Sequence, residues 1–148
     1  MKILHNPLTS HSAALLVLRL VLGVVFFAHG AQKVLGWFGG YGLAGTTQFF
    51  QATFGIPPLL AYLSHFTEFL GGIAIILGLL TRVFALGLTI NMLVAMTVAH
   101  IGNGFFNSGG GIEFPLALLG VALYLFLVGG GEYSLDAKIF AKPEASAG

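Results

Sequence analysis

The sequence predicts an all-α, polytopic membrane protein: a bundle of four transmembrane helices with both termini cytoplasmic and a short interfacial helix in the first outer loop. Three observations predict this fold. Of the 148 residues, 57% are hydrophobic and only 7% are charged, whereas a soluble domain carries about 25% charged residues. The mean hydropathy is +0.95. The apolar residues also fall into four runs, each close to the roughly 20 residues that a membrane-spanning helix needs, so residues 1–148 form a single membrane domain.

Each apolar run is bounded by residues that favour a turn. The four predicted spans cover, in chain order, residues 13–37, 59–80, 83–101 and 112–128. The turn residues are Gly39 and Gly40 after the first span, Pro57 and Pro58 before the second, Thr81 and Arg82 before the third, and Gly109, Gly110 and Gly111 before the fourth. Proline suits the first turn of a helix, where a missing N–H needs no partner. The outer loops are therefore residues 38–58 and 102–111.

The first outer loop contains a segment with helical spacing. Within residues 46–54, Phe50 and Phe54 lie one helical turn apart. Trp37, Phe38 and Tyr41 precede them and are typical of the aromatic residues at a membrane–water interface. We therefore expect a short helix that lies in the interface, with an ordinary apolar loop as the alternative interpretation.

The positive charges predict the orientation. An even number of spans places both termini on one side of the membrane. That side holds every Lys and Arg except Lys33, namely Lys2, Arg19, Arg82, Lys138 and Lys142. Because positive residues stay inside, both termini are expected in the cytoplasm. We interpret Arg19 and Arg82 as side chains that snorkel to the cytoplasmic surface.

Charge, cysteine content and motifs exclude several classes of protein. The net charge is +1, so the chain offers no basic surface for nucleic acid. It has no cysteine, which excludes a disulfide framework, a cysteine-ligated metal centre and a thiol–disulfide relay within this chain. No Gly-x-Gly-x-x-Gly motif follows a strand, so nothing predicts a site for NAD or flavin.

Polar side chains collect in the outer half of the predicted bundle. His29 and Lys33 are four residues apart, and His65 and Glu68 are three apart, so each pair shares one helix face. His100 closes the third span and Glu113 opens the fourth near the same surface. Ionisable side chains inside a span are costly and mark function or a buried pair. We therefore expect these six side chains to converge.

This combination of residues is typical of a site for a lipid-soluble quinone. A quinone head needs apolar walls, donors for two carbonyl oxygens, and protonatable groups, which His and a desolvated Glu supply. The predicted catalytic residues are His29, His65 and Glu68. The predicted cofactor-binding residues are His29, Lys33, His65, His100, Glu113, Trp37 and Phe106, with no metal ligand.

Each of these residues also has a structural interpretation. Lys33 could snorkel to lipid headgroups, and Glu68 could form a purely structural ion pair with Lys33 or a hydrogen bond with His29. His65 and His100 could be interhelix hydrogen-bonding partners. We expect Asn91 to join helices outside the cluster, because it lies half a helical turn away from His100 in angle.

Spaced motifs along the chain resemble one family. They are Arg19-Leu20-x-Leu22-Gly23, His29-Gly30-x-x-Lys33, Gly36-Trp37-Phe38-Gly39-Gly40, Gly55-Ile56-Pro57, Glu68-Phe69-Leu70-Gly71-Gly72, Gly78-Leu79-x-Thr81-Arg82, Met92 with Ala95, His100, Asn103-Gly104-Phe105-Phe106, Glu113 and Tyr133-Ser134-Leu135-Asp136. Together they resemble the DoxX family over about residues 13–140. The resemblance implies a four-helix integral membrane protein, similar to the membrane subunit of a thiosulfate:quinone oxidoreductase or to proteins linked to quinone or catechol stress. By motif match it implies functional roles for His29, Lys33, Glu68, Arg82, His100 and Glu113; His65 rests on spacing alone.

The combined prediction is a bacterial inner-membrane protein that is a quinone-linked oxidoreductase or its quinone-binding membrane subunit. His29 and His65 contact the quinone carbonyls, Glu68 relays protons, Lys33 sets the charge, and His100 and Glu113 line the mouth. The expected partners are the lipid bilayer, a lipid-soluble quinone, an electron-donating protein and a second copy of the chain. A haem- or metal-binding membrane protein is one alternative, since His and carboxylates are metal ligands. A non-catalytic scaffold or small-molecule carrier is the other.

Overall fold

Helices make up nearly all of the described chain. The computed structural model describes the backbone of residues 7–140 and the side chains of residues 11–140. Six α-helices follow in order: α1 Pro7–Val34, α2 Gly42–Phe54, α3 Pro58–Leu77, α4 Thr81–Ala95, α5 Glu113–Val128 and α6 Leu135–Ile139. A π-helical turn, Met96–His100, and a 3-10 turn, Ile101–Asn103, extend α4. Residues 7–140 contain no strand, so the chain is all-helical over this range.

Within residues 7–140, three helices are long and apolar enough to cross a membrane. They are His11–Val34 in α1, Pro58–Leu77 in α3, and Thr81–Asn103, which is α4 with its extension. Helix α5 is apolar but has only 16 residues, or about 24 Å at 1.5 Å per residue. Large side chains on the outward faces, such as Val17, Leu63 and Ile90, are more than half exposed, so these faces contact lipid.

Helix boundaries differ from the predicted spans where glycine or a turn residue adopts a left-handed conformation. Helix α1 begins at Pro7 and ends at Val34 rather than residue 37, because Gly36 has φ 72°. Helix α3 ends at Leu77 because Gly78 has φ 67°. The predicted turn at residues 81–82 is wrong by a few residues: Leu80, with φ 47°, completes the turn, and Thr81 begins α4. The fourth predicted span agrees with α5 to within one residue.

Close contact between α1 and α3 depends on glycine. A Cβ on Gly30 would overlap the backbone of Phe69, and one on Gly72 would overlap the backbone of Phe27. Small residues of this kind let membrane helices approach closely enough for extensive van der Waals packing. The seam therefore fixes the height and rotation of α1 against α3.

The apolar core lies between these two helices and the α4–α5 pair. Leu22 and Phe26 of α1, Ile75 of α3, Leu88 of α4 and Leu125 of α5 are all at most 1% exposed and belong to one cluster. Helix α4 packs on both α3 and α5, whereas α1 and α5 touch only sparsely.

Arg19 lies inside the protein, so the prediction that it snorkels is wrong. Its side chain is 1% exposed. The guanidinium donates four hydrogen bonds of 2.8–3.0 Å to backbone carbonyls. The acceptors are Ile75 and Ile76 in the last turn of α3, and Gly130 and Tyr133 in the segment after α5. Four of the five guanidinium N–H groups thus have a backbone acceptor inside the protein, so the charged group is satisfied without reaching the surface. Arg82 is exposed and donates only a 3.4 Å bond to the Val128 carbonyl.

The segment after α5 is fastened to the same end of the bundle, which we call the Arg19 end. The Asp136 carboxylate accepts hydrogen bonds from the backbone N–H groups of Leu80 and Thr81, at 2.6 and 2.8 Å. A carboxylate at the start of a helix satisfies free N–H groups and complements the helix dipole. The opposite end, which holds the last turn of α1, is called the Lys33 end below.

Candidate functional site

An ion pair joins α1 and α3 at the Lys33 end. Lys33 Nζ donates to both oxygens of the Glu68 carboxylate, at 2.7 and 2.6 Å. The Glu68 side chain is 4% exposed and that of Lys33 is 22% exposed. The glycine seam makes this contact possible, because Gly30, one turn before Lys33, packs on the backbone of Phe69, next to Glu68. The ion pair between Glu68 and Lys33, which was the alternative interpretation from the sequence, is therefore present.

Helix α4 contributes to the same cluster. Asn91 Nδ2 donates to Glu68 Oε1 at 2.8 Å, and Ser64 Oγ donates to Asn91 Oδ1 at 2.6 Å. The prediction that Asn91 lies outside the cluster is wrong, because its angle to His100 does not decide which side of α4 faces Glu68. The sequence feature that could have predicted this contact is the amide of Asn91, because a polar side chain in the middle of an apolar span needs a partner.

His65 is buried without a partner. The residue is 0% exposed, and neither ring nitrogen has a hydrogen-bond partner among the described residues. The rings of His65 and Phe50 meet edge to face, with their centroids 4.8 Å apart. A buried polar atom without a partner costs about 1–3 kcal/mol, and native structures contain few of them. His65 therefore presents a donor and an acceptor that residues 11–140 leave unused.

Helix α2 covers this cluster. The ring of Phe50 contacts His65, and Lys33 Nζ lies 5.5 Å from the centroid of the same ring. Thr46 and Thr47, one turn before Phe50, are buried, and the hydroxyl of Thr47 has no partner among the described residues. The predicted helix in the first outer loop thus exists and is longer than expected; its placement in the membrane interface stays a prediction.

His29 and Trp37 lie beside the cluster rather than inside it. His29 is exposed, and its ring centroid is 6.2 Å from that of Phe114 on α5. The His29 imidazole forms no hydrogen bond with residues 11–140, and the partners of the Glu68 carboxylate there are Lys33 and Asn91. The predicted alternative of a hydrogen bond between Glu68 and His29 is therefore absent from these residues. Trp37 is 52% exposed and meets Phe27 edge to face at 6.4 Å. The sparse contact between α1 and α5 leaves His29 accessible.

Phe106 lies in the second outer loop, and His100 and Glu113 flank it. His100 Nδ1 forms a 2.7 Å hydrogen bond with the Gly110 carbonyl, and a Glu113 oxygen accepts 2.8 Å from the Asn107 backbone N–H. Phe106 is 69% exposed. Within the described chain none of the three forms a hydrogen bond with Lys33 or Glu68, and the bonds of His100 and Glu113 instead brace this loop. The six polar residues do not all meet.

Comparison with known proteins identifies the family. The sequence pattern of the family DoxX matches residues 14–101. The chain is a member of the DoxX family. It is 31% identical to "Putative oxidoreductase CatD" of Bacillus subtilis, over 84% of this chain and 86% of that protein. It is 32% identical to "Inner membrane protein YqjF" of Escherichia coli, over 82% of this chain and 88% of that one, and 36% identical to an uncharacterized protein of Haemophilus influenzae, over 84% and 90%. No solved structure matches the chain.

Family and structure together establish where this DoxX protein resides. Its three apolar candidate spans and its relationship to a protein named for the inner membrane identify a bacterial inner-membrane protein. The oxidoreductase name belongs to the Bacillus subtilis relative.

The site of this DoxX protein is closed. Two open depressions lie elsewhere: one of about 430 Å³ at the Arg19 end, which includes Thr81, Arg82 and Ser134 in its lining, and one of about 260 Å³ on the exposed side of α2 between Tyr41 and Phe49. Among residues 11–140, no three His, Asp or Glu side chains are grouped closely enough to bind a metal ion. A ligand can reach His65 only if something moves.

Proposed function

We propose that this DoxX protein is the quinone-binding membrane component of an oxidoreductase, with the quinone head held beside His65 at the Lys33 end. The observation that carries this proposal is the unused imidazole of His65, which is 0% exposed and has no partner for either ring nitrogen within the described chain. It packs against the ring of Phe50, three residues from a carboxylate on the same face of α3. These are the requirements of a site for a flat, apolar ring that carries carbonyl oxygens.

A bound quinone supplies two-electron redox chemistry with uptake of two protons. The His65 N–H donates a hydrogen bond to one carbonyl oxygen, and the ring of Phe50 forms an apolar wall. Glu68 relays protons, since its buried carboxylate lies one turn from His65 on α3. Lys33, at 2.6 Å from that carboxylate, compensates its charge when the proton is absent. Asn91 holds one carboxylate oxygen.

His29 and Trp37 complete the proposed site from the lipid side. His29 is exposed beside Phe114, where α1 and α5 touch sparsely, so it is placed to meet the second carbonyl oxygen of a quinone that arrives through the bilayer. Electrons come from a partner protein, because the chain has no nucleotide-binding motif. The oxidoreductase name of the Bacillus subtilis relative supports the reaction class.

We further propose that α5 is a fourth transmembrane helix and that both termini are cytoplasmic. Helix α5 is apolar and packs along α4, and its length of about 24 Å approaches the thickness of a bilayer core. With this topology Lys33 is the only Lys or Arg at the outer end, in agreement with the positive-inside rule. The quinone site then lies in the outer half of the membrane.

The only tryptophan of the chain is a natural reporter for this site, since Trp37 follows Lys33 by four residues. Titration of the protein in nanodiscs with ubiquinone-1 should quench Trp37 fluorescence saturably. His65→Leu removes the proposed donor and should weaken the apparent affinity about tenfold, which corresponds to roughly 1.4 kcal/mol for one buried hydrogen bond. The matched control, Arg82→Gln at the opposite end, should leave the affinity unchanged. Non-saturable quenching that is equal in all three proteins would overturn the proposal.

A non-catalytic scaffold or small-molecule carrier is the second candidate. The observation that favours it is the satisfaction of Glu68, whose two oxygens are paired with Lys33 and Asn91, as in a cluster that only joins α1, α3 and α4. This candidate predicts that His65→Leu leaves quinone-dependent quenching unaltered and raises thermal stability, because a buried polar group without a partner is replaced by an apolar one.

A further inference from the structure

Helix α2 closes the proposed site. His65 is fully buried, and its described ring contact is with Phe50 of α2. The same phenyl ring lies over Lys33 Nζ. Because this ring lies against the fully buried His65, a quinone head can reach the imidazole only if Phe50 first moves aside.

We propose that α2 is a hinged cover of this site and that Thr47, on its inner face, is a further ligand-binding residue; this inference rests on the proposed function. Thr47 is 5% exposed, and its hydroxyl has no partner among the described residues. It precedes Phe50 by three residues, so both side chains lie on the face of α2 that is turned toward the protein. His65 on α3 and Thr47 on α2 thus each carry a buried polar group without a partner, as expected of two walls of one ligand site.

Glycine at each end of α2 provides the hinges. Gly42 and Gly55 have φ 71° and 67°, and a Cβ at either position would meet no atom closer than 3.9 Å. Packing therefore does not require glycine there; the backbone conformation does. Left-handed conformations are accessible to glycine without a steric cost, so the two junctions can change while α2 itself stays helical.

The outer face of α2 leaves room for this movement. Tyr41 and Phe49 are 76% and 46% exposed, and they border the open depression on that side. No described residue packs against this exposed side, so α2 can move away from α3 in that direction.

The experiment measures how readily a thiol on the inner face of α2 is reached. Because the natural chain contains no cysteine, Thr46→Cys, which is next to Thr47 and equally buried, gives a clean reporter for reaction with a water-soluble maleimide. Gln48→Cys, which is exposed, and Ala122→Cys, in the core of α5, are the fast and slow references. A cover that opens predicts a rate for Thr46→Cys about tenfold or more above that of Ala122→Cys and clearly below that of Gln48→Cys. Saturating ubiquinone-1 should slow it at least about threefold without affecting Gln48→Cys.

The binding role of Thr47 is tested by removal of its hydroxyl. Thr47→Val keeps the shape of the side chain and should weaken the ubiquinone-1 affinity measured from Trp37 quenching by about three- to tenfold. Thr46→Val is the matched control and should leave the affinity unchanged. Equal affinities for both valine variants would overturn the role of Thr47.

The outcomes separate this inference from the proposed function. If Trp37 quenching is saturable and sensitive to His65→Leu while Thr46→Cys reacts as slowly as Ala122→Cys, then the quinone site stands and the cover is wrong. If Thr46→Cys reacts at an intermediate rate that ubiquinone-1 does not change, the ligand does not bind beneath α2, and the cover of this site is again wrong. Absence of saturable quenching in the natural protein would overturn the proposed function and the ligand role of Thr47 together.

Discussion

The pairing of Lys33 with Glu68 shows how one side chain offsets the cost of burying the charge of another within the membrane. A carboxylate that is only 4% exposed is costly unless it is neutral or paired. Lys33 supplies the charge and Asn91 a further N–H group. Lys33 and Glu68 were predictable as neighbours because both lie in the outer halves of their predicted spans. The contact of Asn91 was not predictable, because it depends on the rotation of α4.

Loss of one member of this pair should cost far more than loss of both. Lys33→Met leaves Glu68 buried without its partner and should lower the free energy of unfolding by about 3–5 kcal/mol. The double variant Lys33→Met with Glu68→Leu should lower it by about 1 kcal/mol or less, because similar apolar side chains replace the whole pair. Both values are measured from reversible unfolding in mixed micelles. Equal destabilisation by the single and double variants would show that the ion pair is not formed.

At the level of whole elements, the glycine seam places the site. Gly30 and Gly72 allow α1 and α3 to approach until their backbones nearly touch, and the ion pair of Lys33 with Glu68 forms one turn beyond Gly30. Membrane helices lack a hydrophobic force that would bring them together, so their packing depends on such close fits.

Gly30→Ala should therefore separate α1 from α3 at the height of the site. The added Cβ would overlap the Phe69 backbone, which cannot give way as a flexible side chain can, and we expect a loss of about 2–3 kcal/mol in stability with weaker ubiquinone-1 binding. Gly120→Ala on α5 is the control, since its Cβ would meet nothing within 4 Å and alanine favours a helix by up to about 1 kcal/mol over glycine. Stability changes of the same sign and size in the two variants would refute the role of the seam.

Much of the helix arrangement could be predicted because hydropathy and glycine or proline positions act locally. The predicted helix in the first outer loop and the predicted start of α5 rest on such local signals. Local signals do not predict the environment of Arg19. Its four carbonyl acceptors come from α3 and from the segment after α5, more than 50 residues away in sequence. His100 and Glu113 likewise find partners in the second outer loop, whose fold depends on backbone hydrogen bonds that side-chain spacing does not reveal.

For the whole molecule, the topology decides from which side the site is reached. If α5 crosses the membrane, residues 102–111 face the periplasm and α6 faces the cytoplasm. Asn107→Cys, in the exposed second outer loop, should then react with a membrane-impermeant maleimide in cells whose outer membrane has been permeabilised. Lys138→Cys on α6 should react only after the inner membrane is opened. Reaction of both thiols from the same side would show that α5 does not span.

The central claim, that this DoxX protein holds a quinone against His65, is tested most directly by the quinone that it retains on purification. The natural protein and His65→Leu are purified in a mild detergent, extracted with organic solvent, and analysed for quinone by chromatography and mass spectrometry, with an unrelated inner-membrane protein as background. The natural protein should retain a stoichiometric amount of quinone, and His65→Leu should fall to the background. Equal retention by both proteins, or background retention by the natural protein that re-added quinone does not raise, would contradict the account.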